Sequence, residues 1–247
     1  MITDNAPVNT IAPLRNVSLL AGLVSRVRDR PNGLPGMGCF YGPSGFGKTH
    51  AAIFACNHYR AFQIQMKSVW TRKKLCVSIL QEMGIQPAPT IPDMVDQIGQ
   101  ELSLSRRPLI IDEADFLISK SMIEVIRDIY ESSQGTIILI GEERLPQKLK
   151  VWERVHGRML DWVPAQPGSL ADTKHLVRIY CRSVEVADDL LESLHVASGG
   201  SVRRICVNLD RVREKAIAAD LANFDMADWS RLGGEFFTGN PPSGRVF

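Results

Sequence analysis

Apolar and polar positions follow two periods along the first two thirds of the chain. Val17–Arg28 is spaced as an amphipathic helix and is broken by Pro31-Asn-Gly-Leu-Pro35. Gly36–Tyr41 is a short apolar run that predicts a buried strand, and Thr49–His58 predicts a helix with Ala51, Ile53 and Ala55 on one side. Phe62–Met66 alternates as a strand does. Trp70–Met83 carries Leu75, Ile79, Leu80 and Met83 at helical spacing and is stopped by Gly84. After the proline-rich loop 87–92 comes a second helix, Met94–Leu102. Leu109–Ile111 is an apolar strand, Ser119–Ser132 a helix, Thr136–Ile140 a strand apolar on both faces, and Met159–Val163 a weaker strand. Strands that are apolar throughout and alternate with helices predict an α/β fold with a parallel sheet covered on both sides.

The pattern changes after Ser169. Only helical spacing remains, in Asp172–Ser183, Ala187–Ala197, Val202–Leu221 and a short stretch near Met226. The expected organisation is an α/β domain over 1–167, a small all-helical domain over 168–232 and a flexible tail over 233–247, rich in Gly and Pro at 239–244.

Composition narrows the class. The 247 residues are 45% hydrophobic and 23% charged, a globular balance. The net charge of +2 hides an asymmetry: residues 1–111 carry 12 Lys/Arg against 6 Asp/Glu, and residues 112–247 carry 17 against 21. A basic front half suits a polyanionic partner, and equally suits ordinary solvated faces. The five cysteines are scattered, with no C-x-x-C and no zinc spacing. The longest apolar runs, Val17–Val24 and Thr136–Ile140, are too short to span a bilayer, and the start of the chain lacks the pattern of a signal peptide. A cytoplasmic protein with no membrane partner is expected.

The candidate chemistry lies between the first strand and the next helix. Gly42-Pro43-Ser44-Gly45-Phe46-Gly47-Lys48-Thr49 matches G-x-x-x-x-G-K-[ST], the phosphate-binding P-loop or Walker A motif. Its glycines let backbone N–H groups turn in around a polyphosphate. Lys48 places a charge on the β- and γ-phosphates, and the Thr49 hydroxyl is placed to ligate Mg²⁺. The helix start directs its positive dipole end to the same anion. Strand, glycine loop and helix are the setting the motif needs, so ATP and Mg²⁺ are the expected ligands. About sixty residues on, Leu109-Ile-Ile-Asp112-Glu113 has the form of a Walker B strand. Asp112 would hold Mg²⁺ and Glu113 would orient the attacking water. Asp112-Glu-Ala-Asp115 also spells a helicase signature, but those helicases need a second nucleotide-binding lobe for which the remaining chain is too short.

The order of these motifs, followed by a helical domain, resembles the AAA+ ATPases over roughly residues 12–220. Within them it looks most like the transposition helpers typified by the target-selecting B protein of Mu-type phages. That resemblance rests on Ile123-Glu-Val-Ile-Arg-Asp-Ile-Tyr130, Ile138-Leu-Ile-Gly141 and Glu153-Arg-Val-His-Gly-Arg158. It implies a lid made by the helical domain, and a site completed by an arginine from a neighbouring subunit. Arg154 best matches that finger, with Arg158 the alternative and a plain surface ion pair with Glu153 the bland reading. Gly200-Ser-Val-Arg203-Arg204 resembles the sensor 2 motif, which puts Arg203 on the phosphates. One position departs from the family: sensor 1 usually carries a small polar residue, and this chain has Glu142 followed by Glu143. Either these acids turn away, or hydrolysis is slow, or Glu142 pairs with an arginine.

Lys67-Ser-Val-Trp70-Thr-Arg72-Lys73-Lys74 concentrates four cations and an indole, with no acid between Asn57 and Gln81. Related transposition ATPases line a duplex with this region, so Lys67, Trp70, Arg72, Lys73 and Lys74 are the expected contacts to double-stranded DNA. A solvated helix start with Trp70 in the core is the competing reading. Arg26, Arg28 and Arg30 form a second cluster. The resemblance implies self-association into a ring or helical filament on DNA, a transposase as partner, and a phage or mobile element in a bacterial cytoplasm as setting. The helix-turn-helix domain of Mu-type B proteins is expected to be missing, since the first strand begins near Gly36. A helicase- or clamp-loader-like motor and a signalling P-loop ATPase without DNA binding are the alternatives.

Overall fold

A computed structural model describes residues 14–240, which divide into two compact units. The first comprises residues 16–44 and 48–166. Its elements run α1 (Arg15–Arg28), β1 (Met37–Tyr41), α2 (Lys48–Tyr59), β2 (Phe62–Gln65), α3 (Arg72–Met83), α4 (Ile91–Ser105), β3 (Leu109–Asp112), α5 (Asp115–Ser119), α6 (Ile123–Ser133), β4 (Ile137–Gly141), α7 (Leu145–Lys150), α8 (Glu153–His156) and β5 (Met159–Pro164). The five strands form one sheet in the order β2-β3-β4-β1-β5, with every pairing parallel. β3 and β4 are buried along their whole length, as expected of strands covered on both faces. Phe62, Ile79, Ile98, Leu109, Ile126 and Leu139 belong to the core that α3, α4 and α6 close over the sheet.

Because all strands run one way, the loops that follow β1, β3 and β4 leave the same edge of the sheet. That edge is where ligands bind in open parallel sheets. The strand order sets their sequence in space: β4 lies between β1 and β3, so residue 142 emerges between the glycine loop and Asp112.

Local signals explain the helix ends. Thr71 accepts the N–H of Lys74 and caps α3, which stops at Gly84 in the left-handed region, φ 74°. Thr90 caps α4, so this helix starts at Ile91 rather than at Met94, with Pro92 in its first turn. Trp70 precedes α3 in a turn closed by its N–H on the Lys67 carbonyl, 3.1 Å. The helix expected over 119–132 is α6, which starts later, at Ile123; the short α5 ends at Ser119, and the turn between them at Lys120–Met122 holds Ser121 at φ 51°. The short helices α7 and α8 have no counterpart in the sequence pattern, being too brief to show a period.

The second unit holds residues 167–240 with the loop tip 45–47 and Arg15. It contains α9 (Leu170–Tyr180), β6 (Glu185–Val186), α10 (Asp188–Ser198), α11 (Val202–Ala218), β7 (Asn223–Phe224) and α12 (Met226–Arg231). Ser169 and Asp172 form a capping box on α9, and Ser201 caps α11. Leu176, Leu190, Leu194, Ile205, Leu209 and Trp229 are buried. The unit is not wholly helical: β6 and β7 pair in parallel through two residues each, too short for alternation to reveal.

The expected loose tail is docked in its described part. Phe236 stacks on Trp229 with ring centroids 5.0 Å apart. The buried Asn208 accepts the N–H of Phe237 at 2.6 Å and donates to the Phe237 carbonyl and to Ser198 Oγ, at 3.1 and 3.0 Å. Residues 1–13 and 241–247 lie outside the described residues, and with them most of the irregular start and the end of the predicted tail. The five cysteines are free thiols, and burial pushes Cys76 and Cys181 up to about 11. Among the described residues no helix is long and apolar enough to cross a membrane.

Asn208→Ala strands the backbone of Phe237 and should cost about 1–3 kcal/mol. Denaturant unfolding measures the loss. Limited proteolysis should cut near Thr238 earlier than in the parent; unchanged cleavage would show that Asn208 does not hold the segment.

Candidate active site

The P-loop leaves β1 at Tyr41 and re-enters regular structure at Lys48, the first residue of α2. Gly45 and Gly47 have φ of 86° and 80°, a conformation in which a Cβ is strained, and the two turn the chain into the helix. Lys48 Nζ donates to the carbonyls of Gly42 and Pro43 at 2.7 and 2.9 Å, so the loop's own oxygens hold the ammonium. Burial lowers the Lys48 pKa, and the negative charges of Asp112, Glu113, Asp115 and Glu142 oppose that shift. Ser44 is exposed, while Phe46 is half-buried.

The Walker B strand meets the loop through one bond. Thr49 Oγ1 donates to Asp112 Oδ2 at 2.9 Å. Asp112 ends β3 and is 2% exposed. Its other oxygen accepts the N–H of Glu113 at 2.9 Å. Glu113 has φ 56°, a left-handed turn uncommon outside glycine, which takes the chain out of the strand. Its pKa is raised, first by burial and then by the charge of Asp112.

The hydroxyl and the carboxylate are hard oxygen donors of the kind Mg²⁺ takes. Among the described residues no group of three His, Cys, Asp or Glu side chains could hold a metal alone. The donor set therefore fits an ion that keeps waters and borrows phosphate oxygens, as Mg²⁺ does with nucleotides.

Glu142 follows β4 directly, and its side chain is 65% exposed. Among the described residues it pairs with no arginine. Its N–H donates to Asp115 Oδ2 at 2.6 Å, and its carboxylate stands 3.9 Å from Lys148 Nζ. Lys148 in turn binds Asp115 Oδ1 at 2.6 Å. The sequence reading gave no role to Asp115 or Lys148. Asp115 was visible three residues after Asp112, but Lys148 lies on a helix the hydrophobic pattern does not reveal.

Arg154 and Arg158 take no part in this network. Arg154 is exposed on α8 and, among the described residues, makes no hydrogen bond or ion pair with Glu153 or any other group. Arg158 is paired with Glu131 at 2.6 Å. Arg203 is exposed in the first turn of α11, and its N–H donates to the Gly45 carbonyl at 3.1 Å, within the second unit.

Lys67, Arg72, Lys73 and Lys74 are exposed around Trp70, which is half-buried against the core, with Lys74 Nζ 5.9 Å from its ring centroid. Arg72 also donates to the Ser121 carbonyl, 3.2 Å. The second arginine cluster is used internally. Arg26 pairs with Asp161 and Arg28 with Asp29, and Arg30 is held by the carbonyls of Val27, Leu34 and Gln134. A cavity of about 710 Å³ beside Arg28, Arg30 and Thr136 lies at the opposite end of the strands from Lys48.

Residues 32–149 match the family model described as "AAA domain". A comparison with curated proteins finds no match. Among solved structures, the chain is similar to the Aeropyrum pernix Orc1 protein, solved in complex with DNA. The TM-score is 0.61 and the identity 14%, over 88% of this chain and 63% of that one. It is similar to the Thermotoga maritima RuvB Holliday junction branch migration motor, with TM-score 0.62 and 17% identity, over 88% and 67% of the two chains. It is also similar to Cdc6p from Pyrobaculum aerophilum, with TM-score 0.64 and 13% identity, over 93% and 69%. The chain thus spans about two thirds of the length of these neighbours, and at these identities the likeness is one of fold. Residues 32–149 are thus similar to AAA domains, and the parallel five-stranded sheet among helices is the α/β fold of AAA+ P-loop NTPase structures.

Proposed function

We propose that the chain is an ATP-dependent, non-sequence-specific DNA-binding ATPase that assembles on duplex DNA and delivers it to a transposase. The convergence of Lys48, Thr49, Asp112 and Glu113 on one sheet edge carries the ATPase part. A triphosphate offers Lys48 charged acceptors in place of the carbonyls of Gly42 and Pro43. Thr49 and Asp112, now bonded to each other, are the residues that would hold Mg²⁺, which when bound supplies charge neutralisation across the phosphates. Glu113 is the only further carboxylate adjoining Asp112 in sequence, and it orients and polarises the attacking water.

Arg154 is the preferred finger for a neighbouring subunit: it is exposed and uncommitted, whereas Arg158 is held by Glu131. A site finished by the next subunit makes assembly depend on nucleotide, and such a head-to-tail contact forms a filament when its rotation does not close. Arg203, in the first turn of α11, is the proposed lid contact to the phosphates. The exposed cations Lys67, Lys73 and Lys74 supply phosphate contacts for DNA, and Arg72 is partly committed to Ser121. The Orc1 neighbour, solved with DNA, is in keeping with this partner. The transposase role rests on the motif order and on the stretches 123–130, 138–141 and 153–158. The fold shared with the RuvB branch migration motor favours a DNA motor as the second reading.

Lys48→Ala should abolish ATP binding, and Glu113→Gln should retain it while lowering kcat by about 10²-fold or more, measured by nucleotide binding and phosphate release. ATP binding that survives Lys48→Ala would sink the site assignment.

Duplex DNA should be retained in a salt-sensitive way with a slowly hydrolysed ATP analogue. Replacing Lys67, Lys73 and Lys74 by Ala should reduce the log–log salt slope by about 3. Electron microscopy under the same conditions should show filaments or rings with the parent and isolated subunits with Arg154→Ala. Isolated subunits of the parent would refute assembly, and ATP-driven branch migration would favour the motor. Stimulation of strand transfer by a purified transposase tests the final step.

A further inference from the structure

Glu142 brings a surplus of negative charge to a site meant for a polyanion, and the groups around it show how that charge is managed. Lys48 is within electrostatic reach of four carboxylates, those of Asp112, Glu113, Asp115 and Glu142. Asp112 is engaged by Thr49, and Glu142 is largely in solvent. Asp115 is the acid that is buried without a place in the P-loop network: its side chain is 10% exposed. One of its oxygens accepts the N–H of Glu142, and the other accepts Lys148 Nζ, both at 2.6 Å. Gly141 makes the approach possible, since a Cβ there would run into Asp115 Oδ2 and Leu145 Cδ2. A single carboxylate thus ties the turn after the Walker B strand to the first residue after β4, and a single ammonium from α7 faces both Asp115 and Glu142.

We propose that Asp115 and Lys148 are positioning residues for nucleotide hydrolysis, an inference that rests on the ATPase reading above. Asp115 fixes the start of the β4–α7 turn through the N–H of Glu142. Lys148 neutralises Asp115, so that a buried carboxylate serves this purpose beside Lys48 and Glu113 without repelling the triphosphate. Lys148 takes up at a distance the problem that a small polar residue at 142 would not pose.

The chemistry separates this role from a direct contact between Lys148 and the nucleotide. Removing Lys148 leaves a buried carboxylate unpaired, which is the damaging half of breaking such a pair. Asp115→Asn keeps an oxygen to accept the N–H of Glu142 and removes the charge that needs a partner. Lys148→Met should therefore be harmful alone and mild when combined with Asp115→Asn.

The test is steady-state ATP hydrolysis by the full chain with saturating Mg²⁺ and duplex DNA, with the thermal midpoint of each variant measured in parallel. Lys148→Met should lower kcat about tenfold and leave KM within about twofold, Lys148→Arg should keep most of kcat, and Lys148→Met/Asp115→Asn should recover most of it. A double variant as slow as Lys148→Met, at a midpoint like the parent's, overturns the proposal, because the lysine then acts on something other than Asp115. A kcat unchanged by Lys148→Met overturns it as well. If Lys148→Met does not fold, the comparison of the double variant with Asp115→Asn decides: equal kcat supports the proposal, and a large further loss overturns it. Hydrolysis that survives Lys48→Ala would instead remove the ATPase reading itself, a failure visible without any change at Lys148.

Discussion

The hydrogen bond from Thr49 to Asp112 joins two segments that the sheet alone would leave side by side. β1 and β3 do not pair with each other; both pair with β4, which lies between them. The bond at 2.9 Å spans the resulting gap and fixes the first turn of α2 against the end of β3. Everything proposed for the site depends on that separation. The P-loop needs room for phosphates above β4, and Asp112 must face that room from the far side. A parallel sheet meets both needs because its strand ends are level and its connections return to the opposite edge.

The same arrangement creates the electrostatic strain of the site. Strands buried on both faces deliver their last residues into a poorly solvated edge, so Lys48 and Glu113 both shift toward their neutral forms, with burial as the leading cause. A lysine and a glutamate displaced in this way need compensation from partners. For Lys48 the partners are the loop carbonyls, and on the proposed reading a polyphosphate would offer stronger acceptors in their place. For the acids, the Lys148 ammonium lies beside Asp115, the residue that would otherwise add a buried charge. Lys48 and Asp115 thus each have a partner within the fold.

What the sequence revealed follows from how each feature is encoded. The P-loop was legible because backbone conformation demands particular residues: Gly45 and Gly47 sit at positive φ, and Lys48-Thr49 must open a helix. β3 and β4 were legible because full burial leaves an uninterrupted apolar run. The late start of α6 was hidden, since residues 119–122 hold no proline or glycine to mark the turn before it. The docked stretch after Gly233 was misread for a related reason. The Gly and Pro at 239–244 read as a linker, but Phe236 and Phe237 just before them are received by Asn208 and Trp229, both in helices, through contacts that no local pattern records.

The candidate arginines show the limit of reading residues singly. Arg26, Arg28 and Arg30 look like a basic surface when counted, but each has an internal partner: Asp161, Asp29 and a set of backbone carbonyls. Arg154 and Arg158 are equivalent as letters, separated by one helical turn's spacing, yet Glu131 claims the second and leaves the first uncommitted. Lys148 shows the converse, since an unremarked lysine is bound by a buried carboxylate 33 positions earlier. Charge becomes informative once its partners are known, because a paired cation has already spent its electric field on the fold. The cations left exposed and without an acid nearby, Lys67, Lys73 and Lys74, are therefore a stronger reason to consider a polyanionic partner than the net charge of the first 111 residues.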